Sequence, residues 1–360
     1  MVIAGGGTGG HLYPGIAVAK VARDEGSEVL FIGAEGGIET RVLPREGFKL
    51  TTVRAGKFKG AGVMGKLLTI ALLPVGVTAS LMAIRRFRPQ VVMGVGGYAS
   101  FPAVAAAKLS GLPVVVQEQN AFPGLANRTL GRFADKVALG FEEAKAFFPR
   151  GRTAFTGNPV RQELLHADRA SARARFGLHA DKTTVLIFGG SAGAHSINRA
   201  VADSLAPMGS LLDGLQFIHQ TGEKDLEMVE AAYRQAGAKA SVLPYIYDMA
   251  GAYASADLVI CRSGALTLAE LTAVGKPAVL IPYPHAANNH QEVNARVVEK
   301  AGAARVVKES DATGERLASE IAGMVEDNGY LAEMSSKSLA LGRPDAARAV
   351  YEICRGLAGE

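Results

Sequence analysis

Cysteine is nearly missing from these 360 residues: Cys261 and Cys354 stand far apart, with no CxxC and no histidine near either at metal-ligand spacing. That excludes a disulfide or zinc framework, and a reducing, cytoplasmic compartment is expected. A basic, apolar and cleavable leader is also missing, since the chain opens directly on MVIAGGGTGGH; no export is expected. No DxD occurs, so the carboxylate pair often used to hold a divalent ion on a sugar diphosphate is lacking, and no obligatory protein-bound metal or other cofactor is expected. Acidic residues disappear altogether between Glu46 and Glu118, while Lys49, Arg54, Lys57, Lys59, Lys66, Arg85, Arg86, Arg88 and Lys108 fall inside that stretch. Such a region attracts anions.

What is present is globular. Hydrophobic residues make up 48% and charged ones 20%, which excludes disordered and collagen-like chains. The length predicts about two domains of common size. Their charges differ in sign: residues 1–160 hold 19 Lys and Arg against 10 Asp and Glu, while the remainder is net acidic. Within the basic half, LLTIALLPVGVTASLMAI (67–84) is uncharged and flanked by Lys66 and by Arg85, Arg86 and Arg88. It is short for a transmembrane helix and carries Pro74 and Gly76, so spanning is not expected. A core-packed helix joining two strands is one reading. A partly exposed apolar face beside a basic collar, with Leu73 and Leu81 among its contacts, docking on an anionic membrane surface, is another, compatible with the first. Nucleic acid is not an expected partner.

Short β-branched runs alternate with helical stretches, the signature of an α/β fold with parallel sheets. Strands are predicted at 1–4, 28–33, 90–95, 113–118 and 136–140, then at 183–190, 215–222, 240–246, 256–264 and 277–284. Two such series imply two Rossmann-like, doubly wound domains, 1–160 and 161–338, with Gly-Asn-Pro at 157–159 punctuating the junction and offering a hinge. A final helix is expected from 339 to about 357, with the segment 339–360 free to return to the first domain.

Three glycine-rich turns each follow a strand. GGGTGGHLYPG (5–15) fits the dinucleotide fingerprint GxGxxG only loosely, lacks the GK[ST] of a Walker A loop, and suits a phosphate or a developing oxyanion. It carries His11, a titratable side chain at a strand's carboxyl end, where open α/β sheets place their ligands. MGVGGYASFP (93–102), with Gly96, Gly97 and Tyr98, faces the same crevice. GGSAGAHSIN (189–198) offers Ser191 to a phosphate. In QEQNAFPGLANR (117–128), Glu118, Gln119, Asn120 and Asn127 suit a hydroxyl-rich ligand, or equally an amide-rich turn capping the next helix. In CRSGALTLAELTAVGKPAVLIPYPHAANNHQEVNA (261–295), Gly264 turns the chain into a short helix carrying Glu270, whose carboxylate can accept ribose hydroxyls while the helix N-terminus meets a diphosphate.

RSGALT, Glu270, GKPAVLIPYP, NHQ and NA together resemble the nucleotide-sugar signature of GT-B glycosyltransferases. With GGTGGHLYPG, VGGYASFP, EQNAFPGLANR, TGNPVR and FGGSAGAHSIN in order, the chain from about Ala4 to Ala295 resembles the members that build the peptidoglycan precursor. The resemblance implies two facing Rossmann-like domains and inverting transfer of N-acetylglucosamine from UDP-GlcNAc to the C4 hydroxyl of undecaprenyl-diphospho-muramoyl-pentapeptide (lipid I), giving lipid II at the cytoplasmic face of the inner membrane. Cell-wall or division proteins would be further partners. By motif position it places His11 as general base, Glu270 on the uridine, a backbone contact to the uracil edge at Ile246, and Ser191 on the phosphates. Ala265, Leu266, Thr267, Leu268 and Ala269 form the donor helix with Glu270. Arg161 and Gln291 fall on donor-binding positions, Thr8, Gly9 and Gly10 beneath the sugar, and Asn120 beside it. Gly96, Gly97, Tyr98, Glu118 and Asn127 are acceptor-side candidates. Where some members carry a second glutamine, this chain has His290, which is given no role.

Other readings remain. A nicotinamide oxidoreductase would use Glu35 or Glu39 as its ribose partner, leaving the 261–295 segment unexplained. A non-hydrolysing UDP-GlcNAc epimerase shares the two-domain plan but needs no basic lipid-facing stretch. A non-catalytic nucleotide-sugar sensor would bind the donor without turnover.

Overall fold

The computed structural model describes residues 1–53, 63–97, 99–327 and 329–359, and of helix residues 63–71 the backbone alone. Arg54, Lys57, Lys59, Tyr98 and the Lys66 side chain lie outside the described residues. The chain divides into two compact units, Met1–Val160 with Arg343–Glu360, and Arg161–Gly342.

The first unit runs β1 Val2–Gly5, α1 Gly9–Asp24, β2 Leu30–Ala34, α2 Glu39–Arg45, β3 Lys49–Val53, α3 Val63–Phe87, β4 Val92–Gly96, α4 Ser100–Leu109, β5 Val114–Glu118, α5 Leu125–Leu130, β6 Lys136–Leu139 and β7 Thr153–Phe155. β1, β4 and β5 are buried at every position, because helices cover both faces of a parallel sheet and leave no polar side. The strand order is β3-β2-β1-β4-β5-β6-β7, with Val2 in register with Leu30 on one side and Val92 on the other. The winding direction therefore reverses between β1 and β4. Crevices at such reversals, beyond the strands' carboxyl ends, are where open α/β sheets bind ligands, and here they bring the loops after Gly5 and Gly96 together.

The second unit runs α6 Arg169–Arg175, β8 Thr183–Phe188, α7 His195–Met208, β9 Leu215–Gln220, α8 Leu226–Gln235, β10 Ala240–Leu243, α9 Met249–Ser255, β11 Leu258–Cys261, α10 Ala265–Ala273, β12 Ala278–Leu280, α11 His290–Lys300, β13 Ala304–Val306, α12 Gly314–Val325 and α13 Tyr330–Leu341. Its sheet, β10-β9-β8-β11-β12-β13, is also parallel and reverses between β8 and β11. The loops after Phe188 and Cys261 meet there.

Three strands were not expected from apolar runs. β3 (KLTTV), β7 (TAF) and β13 (ARV) are short or polar, and each lies at a sheet edge, where one side of the ladder needs no partner. The helix expected from 339 is in fact two. Pro344 disfavours a helical Arg343, so α13 ends at Leu341 and α14 Ala346–Ala358 starts afresh. α14 lays Ala347, Val350, Tyr351 and Cys354 into the first unit's core, which also holds Leu12, Ile16 and Ala22 of α1.

α3 carries Pro74, and among the described residues no helix is long and apolar enough to cross a membrane. Leu81 packs against the core with Val77, Ala83 and Phe87. Leu73 is half-buried, and among the described side chains of α3 the large apolar ones left exposed are Val75 (51%) and Met82 (62%). This shifts the candidate docking face from Leu81 to Val75 and Met82. Arg85, Arg86 and Arg88 are exposed beside it.

His219, on β9, gives the second unit a pH-sensitive core. Asn198 Nδ2 donates to the Thr221 carbonyl and to Asp225, which turns Asn198 Oδ1 toward His219 Nε2 (3.1 Å). Nε2–H then donates, and His219 Nδ1 accepts from the Tyr233 hydroxyl at 3.2 Å. Burial pushes this imidazole's pKa down to about 3. Its folded pKa is thus depressed, the unfolded chain binds more protons below about pH 6.5, and stability falls as pH drops from there toward 3, by about 1.4 kcal/mol per unit at most. Urea unfolding followed between pH 7 and pH 4 checks this; His219→Gln is expected to flatten the slope of the second unit's transition.

Candidate functional site

At the first unit's reversal point, Gly9 and Gly10 open α1 with Thr8 at its N-cap, so His11 sits in the helix's first turn and not in the loop. The Thr8 carbonyl accepts from His11 N and Leu12 N. Gly6 N donates to the Gly96 carbonyl, and Gly7 N to Glu39 Oε2 at 3.0 Å. Glu39 is fully buried and also accepts from Ala34 N at 2.8 Å. A Cβ at Gly6, Gly33 or Gly37 would come within 2.7, 2.6 or 2.3 Å of the Glu39 side chain, so these glycines supply the room this carboxylate occupies. Two amides of the loop are thus committed internally, one of them to a carboxyl oxygen. The loop is accordingly poorer as an anion cradle than its glycine spacing predicts, and a buried Glu39 is not a ribose partner for a nicotinamide cofactor.

His11 is half-buried, with Nδ1 3.0 Å from Gln119 Oε1. Gly96 ends β4 against it: a Cβ there would lie 2.9 Å from His11 Nδ1. Gly97 packs on the Gly6 backbone. Glu118 Oε1 accepts from Asn120 N and Nδ2, and Oε2 from Asn127 Nδ2, so this buried carboxylate organises its own turn. Burial pushes its pKa up, against those hydrogen bonds. Asn127 is buried too, and its Oδ1 receives no donor among the described residues.

At the second unit's reversal point, the Gly189–Ala194 loop leads into α7 and exposes Ser191. Gly193 has φ +75°, and a Cβ there would meet the Thr221 carbonyl at 1.9 Å, so only glycine closes the loop onto β9's end. Gln220 ties that loop to the next: Nε2 donates to the Gly190 carbonyl (2.7 Å), and Oε1 accepts from Ile246 N (2.9 Å).

Gly264 is the N-cap of α10, which buries Ala265 and Leu268 and turns Leu266, Thr267, Ala269 and Glu270 partly outward. Glu270 Oε1 accepts from Arg161 Nη2 (3.0 Å) and Oε2 from the Tyr253 hydroxyl (3.1 Å). Burial, reinforced by Glu270, pushes the Tyr253 hydroxyl pKa well above its usual value, so it stays a donor. Gln291, in α11's first turn, accepts from Tyr283 N through Oε1, while its carbonyl accepts from Ser263 Oγ. His290 Nδ1 donates to the Ala287 carbonyl, a local turn contact. Arg262 pairs with Glu309 and donates to the Ile281 and Pro282 carbonyls, which makes it a brace between loops. Gln220 and Tyr253 are site-building residues for which no spacing rule in the sequence gave a signal, while Gln119 and Glu39, singled out in the sequence for ligand contacts, instead hold His11 and the first glycine loop.

Known proteins match the chain along both units. Residues 1–139 match the glycosyltransferase family 28 N-terminal domain and residues 184–350 the family 28 C-terminal domain. A Myxococcus xanthus protein named UDP-N-acetylglucosamine--N-acetylmuramyl-(pentapeptide) pyrophosphoryl-undecaprenol N-acetylglucosamine transferase is 47% identical over 98% of this chain and 92% of its own length. The crystal structure of Acinetobacter baumannii MurG superposes with a TM-score of 0.78 at 30% identity, covering 99% of this chain and 98% of that one. A UDP-GlcNAc 2-epimerase from Neisseria meningitidis, bound to UDP-GlcNAc, has a TM-score of 0.68 at 12% identity over 98% of both chains, a likeness of fold alone.

Proposed function

The chain belongs to glycosyltransferase family 28, and on that premise we propose how its own residues carry the reaction. It is an N-acetylglucosaminyltransferase of peptidoglycan synthesis, moving the sugar from UDP-N-acetylglucosamine to N-acetylmuramyl-(pentapeptide) pyrophosphoryl-undecaprenol. The acceptor's C4 hydroxyl attacks the anomeric carbon from the face opposite UDP, and configuration inverts. That hydroxyl must lose its proton as the new C–O bond forms, and UDP must leave with its charge stabilised. His11 takes the proton on the imidazole nitrogen that carries none. The N-termini of α7 and α10, with Ser191, receive the diphosphate. Glu270 accepts the ribose hydroxyls on the lone pairs that Arg161 and Tyr253 leave, since each carboxylate oxygen has two.

The observation that supports this reading best is the pair of reversal points. One carries an imidazole in a helix's first turn, and the other a glycine loop and a carboxylate held from both sides. Incubation with radiolabelled UDP-GlcNAc and the undecaprenyl-linked acceptor is expected to place the label in the lipid extract. Label recovered as free sugar or as a 2-epimer, with none in lipid, contradicts the assignment.

We also propose that no resident metal takes part. The groups placed for the diphosphate are amide N–H donors and a hydroxyl, which suit an anion and not a cation. EDTA is expected to leave the initial rate intact; a rate abolished by EDTA and restored by a divalent ion is the contrary result.

The acceptor's lipid anchor requires approach to a membrane, and Val75 and Met82 beside Arg85, Arg86 and Arg88 are the surface proposed to make it. Reversing the three arginines to glutamate is expected to weaken sedimentation with anionic vesicles by roughly a hundredfold, while activity on a water-soluble acceptor persists. Binding indifferent to that change and to lipid charge would defeat the electrostatic model.

A further inference from the structure

We propose that Gln119 is a positioning residue that fixes His11 as its Nδ1–H tautomer, with Gln117 and Asn158 holding Gln119 in turn. Its catalytic meaning rests on the reading of His11 as base; its geometry does not. A neutral imidazole carries one proton, and its other nitrogen is the base, so the partner of Nδ1 decides which nitrogen can accept. That partner is an amide, whose oxygen and nitrogen are told apart only by what surrounds them.

The surroundings leave one orientation. Gln119 Nε2 lies 2.8 Å from the Val95 carbonyl, 3.3 Å from the Gln117 carbonyl, and against Gln117 Oε1. All three are acceptors, and turning the amide over would set oxygen against oxygen. The other end of the chain gives the same answer independently. Asn158 Nδ2 donates to the Gln119 main-chain carbonyl at 2.8 Å, which points Asn158 Oδ1 at Gln117 Nε2 (2.9 Å) and so Gln117 Oε1 at Gln119 Nε2. Gln117, Gln119 and Asn158 are only 0%, 2% and 3% exposed, so water is a poor substitute for any link. Gln119 Oε1 therefore faces His11, Nδ1–H donates to it, and the proton-accepting lone pair is on Nε2.

The group behind this imidazole is a neutral amide, whereas the well-known His-Asp pairing sets a carboxylate there. Two buried carboxylates of the same unit are engaged elsewhere, Glu118 with Asn120 and Asn127, and Glu39 with Gly7 and Ala34. Orientation is thus supplied without a fixed negative charge that would favour the imidazolium.

The test is long-range 1H–15N correlation on the full chain labelled with 15N-histidine, at about pH 8, where an ordinary imidazole is neutral, with His11 assigned by its absence in His11→Ala. The wild type is expected to show a protonated-type nitrogen at Nδ1 and an unprotonated-type one at Nε2. Gln119→Leu is expected to show mixed tautomers and a kcat lower by about tenfold to a hundredfold at unchanged donor KM. Wild-type His11 observed as the Nε2–H form overturns the proposal without any variant having to fold, and so does Gln119→Leu with tautomer and kcat unaltered. Full activity in His11→Ala would instead sink the reading of His11 as base, leaving the tautomer to be judged from the spectrum.

Discussion

His11→Ala is expected to lower kcat by about 10²- to 10⁴-fold, the usual range for losing a positioned general base, while the donor KM stays near the wild-type value. The split follows from placement. His11 stands in the first turn of α1 beside Gly96, whereas Arg161 and Glu270, proposed for the nucleotide, belong to the other unit. Removing the imidazole leaves Glu118 and Glu39 as buried carboxylates of the same unit, and both are engaged by amides and poorly placed to substitute. Fold stability should change little, because His11 is only half-buried and α1 is anchored by Leu12, Ile16 and Ala22. Steady-state kinetics with both substrates varied checks the prediction. A large rise in donor KM at constant kcat would reassign His11 to binding.

The second large effect is expected at Glu270. Glu270→Gln replaces a charged acceptor of the ribose hydroxyls by an amide, and hydrogen bonds to charged groups contribute about 1.5–3 kcal/mol each. The donor KM, and the Kd for UDP by calorimetry, should rise by roughly 10- to 150-fold for one such bond. The variant also loses the ion pair that Arg161 Nη2 makes with Oε1, so Arg161 is left beside an amide. Because the nucleotide's hydroxyls are remote from the reacting carbon, kcat at saturating donor should fall much less than KM rises. Equal UDP affinity in the variant and the wild type would remove Glu270 from the nucleotide site.

The interior strands were legible in the sequence because β1, β4, β5, β8 and β11 are runs of apolar and β-branched residues bounded by glycine or proline. β3, β7 and β13 escaped, since strands at a sheet edge need neither length nor an apolar run on both faces. His11, Ser191 and Glu270 could be named from sequence because strand-glycine-helix punctuation marks where a doubly wound sheet presents side chains. Their supports could not. Gln119 reaches His11 across 108 positions, Arg161 reaches Glu270 across 109, and Gln220 joins two loops through opposite ends of one amide. Such contacts are set by strand order, and no local periodicity records them. The same cause misled the reading of the first glycine loop. Glycines at 6, 33 and 37 make room for Glu39, a partner invisible until β1 and β2 lie side by side.

The measurement that tests the central claim most directly is UDP release from UDP-GlcNAc, followed with and without the undecaprenyl-linked muramyl-pentapeptide acceptor. A transferase that uses His11 to deprotonate the acceptor releases UDP only when acceptor is present, and His11→Ala loses that release while still binding donor. UDP release at the same rate without acceptor would contradict this account and indicate hydrolase or epimerase chemistry on the shared fold.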